Sequence, residues 1–353
     1  MGIKHLQSLI KKHAPLAIQE KHLSSYKKSV VAVDTSILMY KFRHSYFGDP
    51  NAHLRGFLNK ALFFLQHEIF PIFVFDGRPP YEKRFALSRR IIQRQKIQRR
   101  VQNMQESLDN MDDEEELSDE TYKHMEGEIE RLNKQSILIT KSNRDESKEL
   151  LRLLGMYVVE AEHEAEATCA ELVEKGIADM VFSEDTDALA FGSRKVIRFS
   201  KKLNYMIEIN LTEILKAFRL NFYQFVDLCI LCGSDYTPPV SKIKTEEAYQ
   251  MICEQEKLEN VCKTYGHLLP NFFSYQDARN IFFRKTLRSN DIQNLHTFRR
   301  NNAFHFLVSE KGMNIEYVRK TLHNLQRVVR CLNSENKPFR SISFSTKEED
   351  RKE

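Results

Sequence analysis

The stretch VFSEDTDALAFG, residues 181–192, sets Glu184, Asp185 and Asp187 between two apolar runs. The run entering it has the composition of a buried strand, and the run leaving it that of a buried helix. Carboxylates crowded at such a junction are costly unless water or a cation satisfies them. The junction is therefore either a solvated turn or one wall of a cation site.

The same punctuation recurs outward from this stretch. The runs VVAVD (30–34), PIFVFD (71–76), MYVVE (156–160), DMVFSED (179–185) and KVIRFS (195–200) are rich in Val, Ile and Phe without strict alternation. Strands buried on both faces of a parallel sheet have this composition. Helical patterns separate them, as in LRGFLNKALFFLQHEI (54–69) and EAEATCAELVEKG (164–176). The alternation predicts an α/β fold with a mostly parallel central sheet and helices on both faces.

Three of these strands end on or run into an aspartate: Asp34, Asp76 and Asp185. Open α/β sheets bind ligands at that carboxyl edge. Glu164 and Glu166 open a helical pattern, where the helix dipole favours negative charge. With Asp187 and Asp235 these make seven carboxylates. Oxygen-only donors suit Mg²⁺ or Mn²⁺ rather than zinc. Two such cations about 4 Å apart could activate water for phosphodiester cleavage. Each aspartate taken singly suits a turn or a helix N-cap equally well, so residue pattern alone leaves both readings open.

Bulk properties narrow the class. The chain has 353 residues and a net charge of +5. It has no apolar run of membrane-spanning length and no apolar amino-terminal signal, so an intracellular protein is expected. Cys229 and Cys232 lie in an apolar helical run without partners for a zinc site, and are expected to be buried thiols. Charge is strongly segregated: residues 83–100 hold eight Lys or Arg and no acid, whereas residues 106–130 hold twelve acids and one Lys. This long, charged, helical stretch (79–142) interrupts the α/β alternation and is expected to project from the sheet. Its basic half could clamp phosphates, neutralise the acidic half, or do both. Beyond residue 192 the chain turns mostly helical, and the tail at 336–353 is too polar to fold.

Six segments in order resemble the structure-specific 5′-nucleases, an XPG-like family, and its flap endonucleases most closely. They are MGIKHLQSLI (1–10), VAVDTSILMY (31–40), VFDGRPP (74–80), AEHEAEATCAEL (161–172), SEDTDALAFGS (183–193) and VDLCILCGSDY (226–236). The resemblance runs from residue 1 to about 330. It implies a PIN-like nuclease core in two pieces (1–78 and 143–235), a helical arch (79–142), and a helix–hairpin–helix region with further helices (236–335). It also implies that Asp34, Asp76, Glu164, Glu166, Asp185, Asp187 and Asp235 hold two Mg²⁺, with Mn²⁺ able to substitute, while Glu184 stays outside. Lys83 and Arg90 match the residues that contact the scissile phosphate, Tyr40 an aromatic on which a base stacks, and Lys60 a basic DNA-contacting position. Gly2 matches the residue whose free amine approaches the site. Gly233, Glu164 and Asp235 fall within segments that face DNA.

The resemblance implies a monomeric, Mg²⁺-dependent endonuclease of the nucleus. It would act in replication and repair on DNA carrying 5′ single-strand flaps. The chain departs from the family at the hairpin. The family's turn reads Gly-Ile-Gly, whereas TPPVSKIKTEEA (237–248) places Lys242 and Lys244 there, followed by Glu246 and Glu247. The sequence leaves open whether that turn still forms the family's monovalent-cation site, and the two lysines could instead reach phosphate by side chain. A sliding-clamp motif is not evident: GHLLPNFF (266–273) has the spacing but Gly266 in place of Gln, and is expected to be core or loop. Two other readings stay open, a 5′→3′ exonuclease or nick- or bubble-specific relative, and a catalytically silent DNA-binding scaffold.

Overall fold

The computed structural model describes residues 3, 5–111, 119–287 and 297–334. Among the described residues there are seven strands: β1 (Ile18–His22), β2 (Val30–Asp34), β3 (Phe70–Phe75), β4 (Tyr157–Glu160), β5 (Met180–Phe182), β6 (Lys195–Phe199) and β7 (Tyr205–Asn210). They form one sheet in the order β1-β7-β6-β5-β2-β3-β4. The five expected strands are the parallel block β6-β5-β2-β3-β4, and β7 and β1 extend one edge antiparallel.

Side chains alternate between two cores, as a two-sided sheet requires. Ala32, Ile72, Val74, Val159 and Val181 face one core with helices Leu6–His13, Ala165–Glu174 and Phe222–Gly233. Val31, Val33, Phe73, Phe75 and Phe182 face the other, with helices Ser36–Ser45, Ala52–Gln66, Lys141–Leu153 and Ile315–Ser334. The second core is dense in phenylalanine. Phe57 meets Phe73 edge to face at 5.8 Å, and Phe64 meets Phe182 at 5.6 Å. Each such buried ring contributes roughly 1.5–3 kcal/mol.

Sequence pattern missed the antiparallel pair β1–β7. β1 (IQEKH) is mostly solvent-facing. β7 carries Glu208, which is buried yet paired to Lys21 at 2.8 Å and to the Tyr26 hydroxyl at 3.2 Å. A buried acid in a strand hides its apolar alternation.

Residues 79–142 hold two long helices, Arg84–Met111 and Asp119–Gln135, packed on one another. Arg100 reaches across to Glu128 at 3.2 Å, and Arg131 holds the same carboxylate from its own helix at 2.6 Å. The halves therefore meet, while Arg89, Lys96, Arg99 and Arg100 stay exposed. On the first face, helix Ala165–Glu174 clasps a distant segment with its last turn. Glu171 accepts the Thr286 and Leu287 N–H groups at 2.7 and 3.0 Å, and the Lys175 ammonium donates to the Leu287 carbonyl at 2.9 Å. Cys229 and Cys232 are buried free thiols, as expected. Phe272 is exposed while Leu268, Leu269 and Phe273 pack on the first core, so the 266–273 segment is a 3₁₀ turn and loop pinned to the core at both of its apolar clusters. The tail expected to be disordered, 336–353, lies outside the described residues.

Candidate metal centre

The period of the strands assembles the site. Asp34 follows Ala32 by two residues and Asp76 follows Val74 by two, so both continue the row that faces helix Ala165–Glu174. Ser183 follows Val181 in the same way, and its hydroxyl donates to Asp34 Oδ2 at 2.9 Å. The chain runs from β2 outward through β3 to β4, then returns to place β5 on the other side of β2. Asp34 and Asp185 thus flank the switch point where doubly wound sheets open a crevice.

Asp76 is brought to Glu164 by backbone pairing between two loops. The Gly77 N–H donates to the His163 carbonyl at 2.8 Å and the Arg78 N–H to the Glu162 carbonyl at 3.1 Å. A Cβ on Gly77 would stand 2.0 Å from the Ala161 carbonyl oxygen, so only glycine permits this approach. Glu164 is the N-cap of helix Ala165–Glu174, and Glu166 lies in its first turn. The Ala165 N–H donates to Asp76 Oδ1 at 2.9 Å. Carboxylate oxygens of Asp76, Glu164 and Glu166 all lie within 4.8 Å of one another.

Asp185 and Asp187 enter from the opening stretch. The Asp185 N–H donates to Ser183 Oγ at 3.0 Å, the Asp187 N–H to Asp185 Oδ1 at 3.2 Å, and the Ile3 N–H to Asp187 Oδ1 at 2.7 Å. Glu184 turns away and pairs with Lys41 at 2.7 Å. Asp235 follows Gly233, whose φ of 106° lets helix Phe222–Gly233 stop and the chain double back. Asp235 accepts from Arg90 at 2.5 Å. The Lys83 ammonium donates to Glu164 and lies 3.9 Å from Asp235.

Crowding and burial leave Asp34, Glu164, Glu166 and Asp187 short of countercharge. Burial, then Asp76, pushes the Asp34 carboxyl up to about 7. Glu166 is held well above the usual range by burial, then by Asp34 and Asp76, and Asp187 by burial, then by Asp185. Burial also raises Glu164, although Lys83 opposes it. Burial alone would lower Lys83, but Glu164 and Glu166 raise it above an ordinary lysine. Lys83 and Arg90 cannot neutralise seven carboxylates. An all-oxygen cluster with unmet negative charge fits a hard divalent cation.

Other expected contact residues lie outside this cluster. Tyr40 is half-buried against the second core. The Lys60 ammonium lies 3.8 Å over the Phe199 ring, and burial lowers its pKa to about 8 despite nearby Glu184. Lys242 and Lys244 are exposed on either side of buried Ile243. The acids beside them are consumed locally: Glu247 accepts the Lys244 N–H at 2.9 Å, and Glu246 pairs with Lys12 at 2.9 Å and His13 at 2.7 Å. Gly2 lies outside the described residues.

Sequence reasoning passed over the groups that orient the acids. The Ser36 hydroxyl donates to Asp76 and its N–H to Asp34 Oδ1 at 3.0 Å. Buried Tyr236 lies close enough that, after burial itself, Glu164 and Glu166 push its phenol up. The adjacency of serine to both acidic motifs, DTS and SED, was the available signal.

A carboxylate-lined crevice at the switch point of a doubly wound sheet, with a basic helical insertion rooted at its rim, is the arrangement of a metal-assisted nuclease. Comparison with known proteins agrees. The XPG N-terminal domain profile matches residues 1–97, and the XPG I-region profile matches residues 155–235. Flap endonuclease 1 of Brugia malayi is 32% identical over 348 residues, covering 93% of this chain and 87% of that protein. Among solved structures, the catalytic core of Rad2 in complex with DNA substrate superposes with a TM-score of 0.70 at 22% identity, covering 92% of this chain and all of that one. The Holliday junction-resolving enzyme GEN1, in complex with product DNA and Mg²⁺, superposes with a TM-score of 0.59 at 18% identity, covering 93% and 80% of the two chains. The chain belongs to the XPG family of structure-specific, metal-dependent DNA nucleases.

Proposed function

We propose that this protein is a 5′ flap endonuclease that hydrolyses one phosphodiester of DNA at a junction between duplex and single strand. The observation carrying this reading is the meeting of Asp76, Glu164 and Glu166, with Asp34, Asp185, Asp187 and Asp235 near enough to act on the charge of the group, beside Lys83 and Arg90 at the root of the helical insertion. In this reading, residues 1–78 and 143–235 form the nuclease core, 79–142 an arch over the single strand, and 236–335 a surface for duplex. Asp34, Asp76, Glu164, Glu166, Asp185, Asp187 and Asp235 would hold two Mg²⁺, or Mn²⁺ in their place. The ions would supply Lewis acidity and a water nucleophile at neutral pH.

The chain's own groups position the reaction. Ser183 and Ser36 fix the Asp34 and Asp76 carboxylates through hydrogen bonds. Lys83 and Arg90, which here pair with Glu164 and Asp235, would turn to the scissile phosphate. There the Lys83 ammonium would meet the negative charge that grows on a non-bridging oxygen. Tyr40 would stack on a base, and Lys60, Lys242 and Lys244 would contact phosphates, with the Gly2 amine, Gly233 and Asp235 near the bound strand. Replication and repair in the nucleus is the setting this activity suits. Among the described residues no helix is long and apolar enough to cross a membrane.

The test is cleavage of a labelled double-flap DNA with Mg²⁺ and with EDTA, beside nicked, blunt and bubble duplexes. One short product, one nucleotide past the flap base and only with Mg²⁺, is expected. A ladder of mononucleotides would move the protein to the 5′→3′ exonuclease reading, which the glycine-free hairpin leaves open. Binding without cleavage under any divalent ion would leave a DNA-binding scaffold.

A further inference from the structure

The 3₁₀ turn Tyr81–Lys83 joins the sheet edge to the helical insertion. At its inner end Lys83 donates to Glu164 of the carboxylate cluster. At its outer end the Tyr81 side chain is 73% exposed. The next helix starts with Arg84, whose guanidinium carbon lies 3.7 Å from the centre of the Tyr81 ring and 4.8 Å from that of Phe85. Phe85 is itself 48% exposed. Single exposed aromatics are ordinary surface features. Here two rings and a guanidinium plane are assembled into one layered group, within five residues, beside the candidate reaction centre. The ion–ring contacts hold Arg84 in place and orient the rings.

Such a group offers flat π surface next to fixed positive charge. That combination binds unpaired nucleobases without regard to sequence, because every base has a π face. The neighbouring side chains suit a polyanion: Lys83, Arg84, Arg89 and Arg90 lie within one short stretch without an acid. Paired bases keep their faces stacked inside the duplex, so only single strand could use the group.

We infer that Tyr81, Arg84 and Phe85 form a stacking platform for an unpaired base of the single strand that lies next to the scissile phosphate. The inference rests on the flap-endonuclease reading for the identity of that strand. It divides the labour at the root of the arch: Lys83 handles phosphate, and the platform handles base. The platform makes the protein sensitive to whether the flap carries bases at all.

The experiment compares two double-flap DNAs of equal length and charge, one with a thymine 5′ flap and one with an abasic 5′ flap. Binding is read by fluorescence anisotropy in Ca²⁺, on the full chain. The wild-type protein is expected to bind the thymine flap about tenfold more tightly. Tyr81→Ala should erase that preference, and Tyr81→Phe should keep it. Equal wild-type affinity for both DNAs would overturn the platform, as would an equal loss on both DNAs in Tyr81→Ala. Failure of the flap-endonuclease reading is separately visible: flapped DNA would go uncut in Mg²⁺, while a base-over-abasic preference that Tyr81→Ala erases would still support the platform.

Discussion

Lys83 and Glu164, 81 residues apart in sequence, form an ion pair at the mouth of the carboxylate cluster. The lysine thereby occupies a carboxylate that the proposed mechanism gives to a cation, and must exchange it for phosphate. Lys83→Ala is expected to slow single-turnover cleavage about 10²–10³-fold while changing DNA affinity little. A loss confined to affinity would reduce Lys83 to a phosphate clamp. The same variant frees Glu164, so apparent Mg²⁺ affinity measured by calorimetry should rise.

Asp185 accepts from the Asp187 N–H and is itself tied to Ser183, so it links the two acids of the opening motif. Asp185→Asn keeps the shape and removes the charge. Cleavage should fall at least as far as for Lys83→Ala, with gel-shift affinity for flapped DNA preserved. Retained activity would sink the assignment of this residue as a metal ligand.

Gly77 is a geometric rather than chemical determinant. Gly77→Ala would drive a methyl group into the Ala161 carbonyl and part the loops that carry Asp76 and Glu164. A cost of about 1–3 kcal/mol is expected from denaturant unfolding, together with weaker Mg²⁺ binding. Unchanged unfolding and unchanged Mg²⁺ binding would show that the loops tolerate separation.

His53 is buried with Nε2 2.8 Å from Glu146, whose other oxygen pairs with Lys311 at 3.0 Å. Burial lowers the His53 pKa below the ordinary 6.5, and Arg43 and Lys311 add to that, while Glu146 opposes it. The folded state therefore favours neutral imidazole, and the unfolded chain takes up the proton first. Stability linked to His53 is complete above the unfolded value of 6.5 and is lost as pH falls from there through the lower folded value. His53→Gln cannot titrate, so its Tm should decline less than that of the wild type between about pH 7.5 and 5.5. Parallel declines would exclude His53 as a source of acid sensitivity.

Lys242 and Lys244 are exposed; of the two acids that follow them, Glu246 is drawn to Lys12 and His13, while Glu247 binds the Lys244 backbone N–H. Replacing both with Ala should reduce the slope of log affinity against log salt by about 2 for a flapped duplex. An unchanged slope would place the duplex on another surface.

The parallel block and the acidic row were legible because burial on both faces writes long Val, Ile and Phe runs, and because Asp34 and Asp76 keep step with the residues beneath them. The antiparallel edge was not, since β1 is largely solvated and β7 hides Glu208 inside a network with Lys21 and Tyr26. Within the candidate site, acids announce themselves by cost, whereas Ser36 and Ser183 look like ordinary turn residues until their partners are seen. The position of Lys60 over Phe199 was illegible for a different reason: a lysine stem packs on apolar surface as readily as its head reaches water.

Helix Ala165–Glu174 has its first turn in the carboxylate cluster and its last turn around residues 286 and 287. Ten residues of rigid rod thus tie the chemistry to a segment over a hundred positions later in the chain. Both ends are held by hydrogen bonds from outside the helix, to Asp76 at the first turn and from Thr286 and Leu287 at the last. The amides of this helix, of β2 and of Thr286 and Leu287 should therefore exchange with solvent as one cooperative unit, slow and concerted, while the helical insertion exchanges on its own schedule.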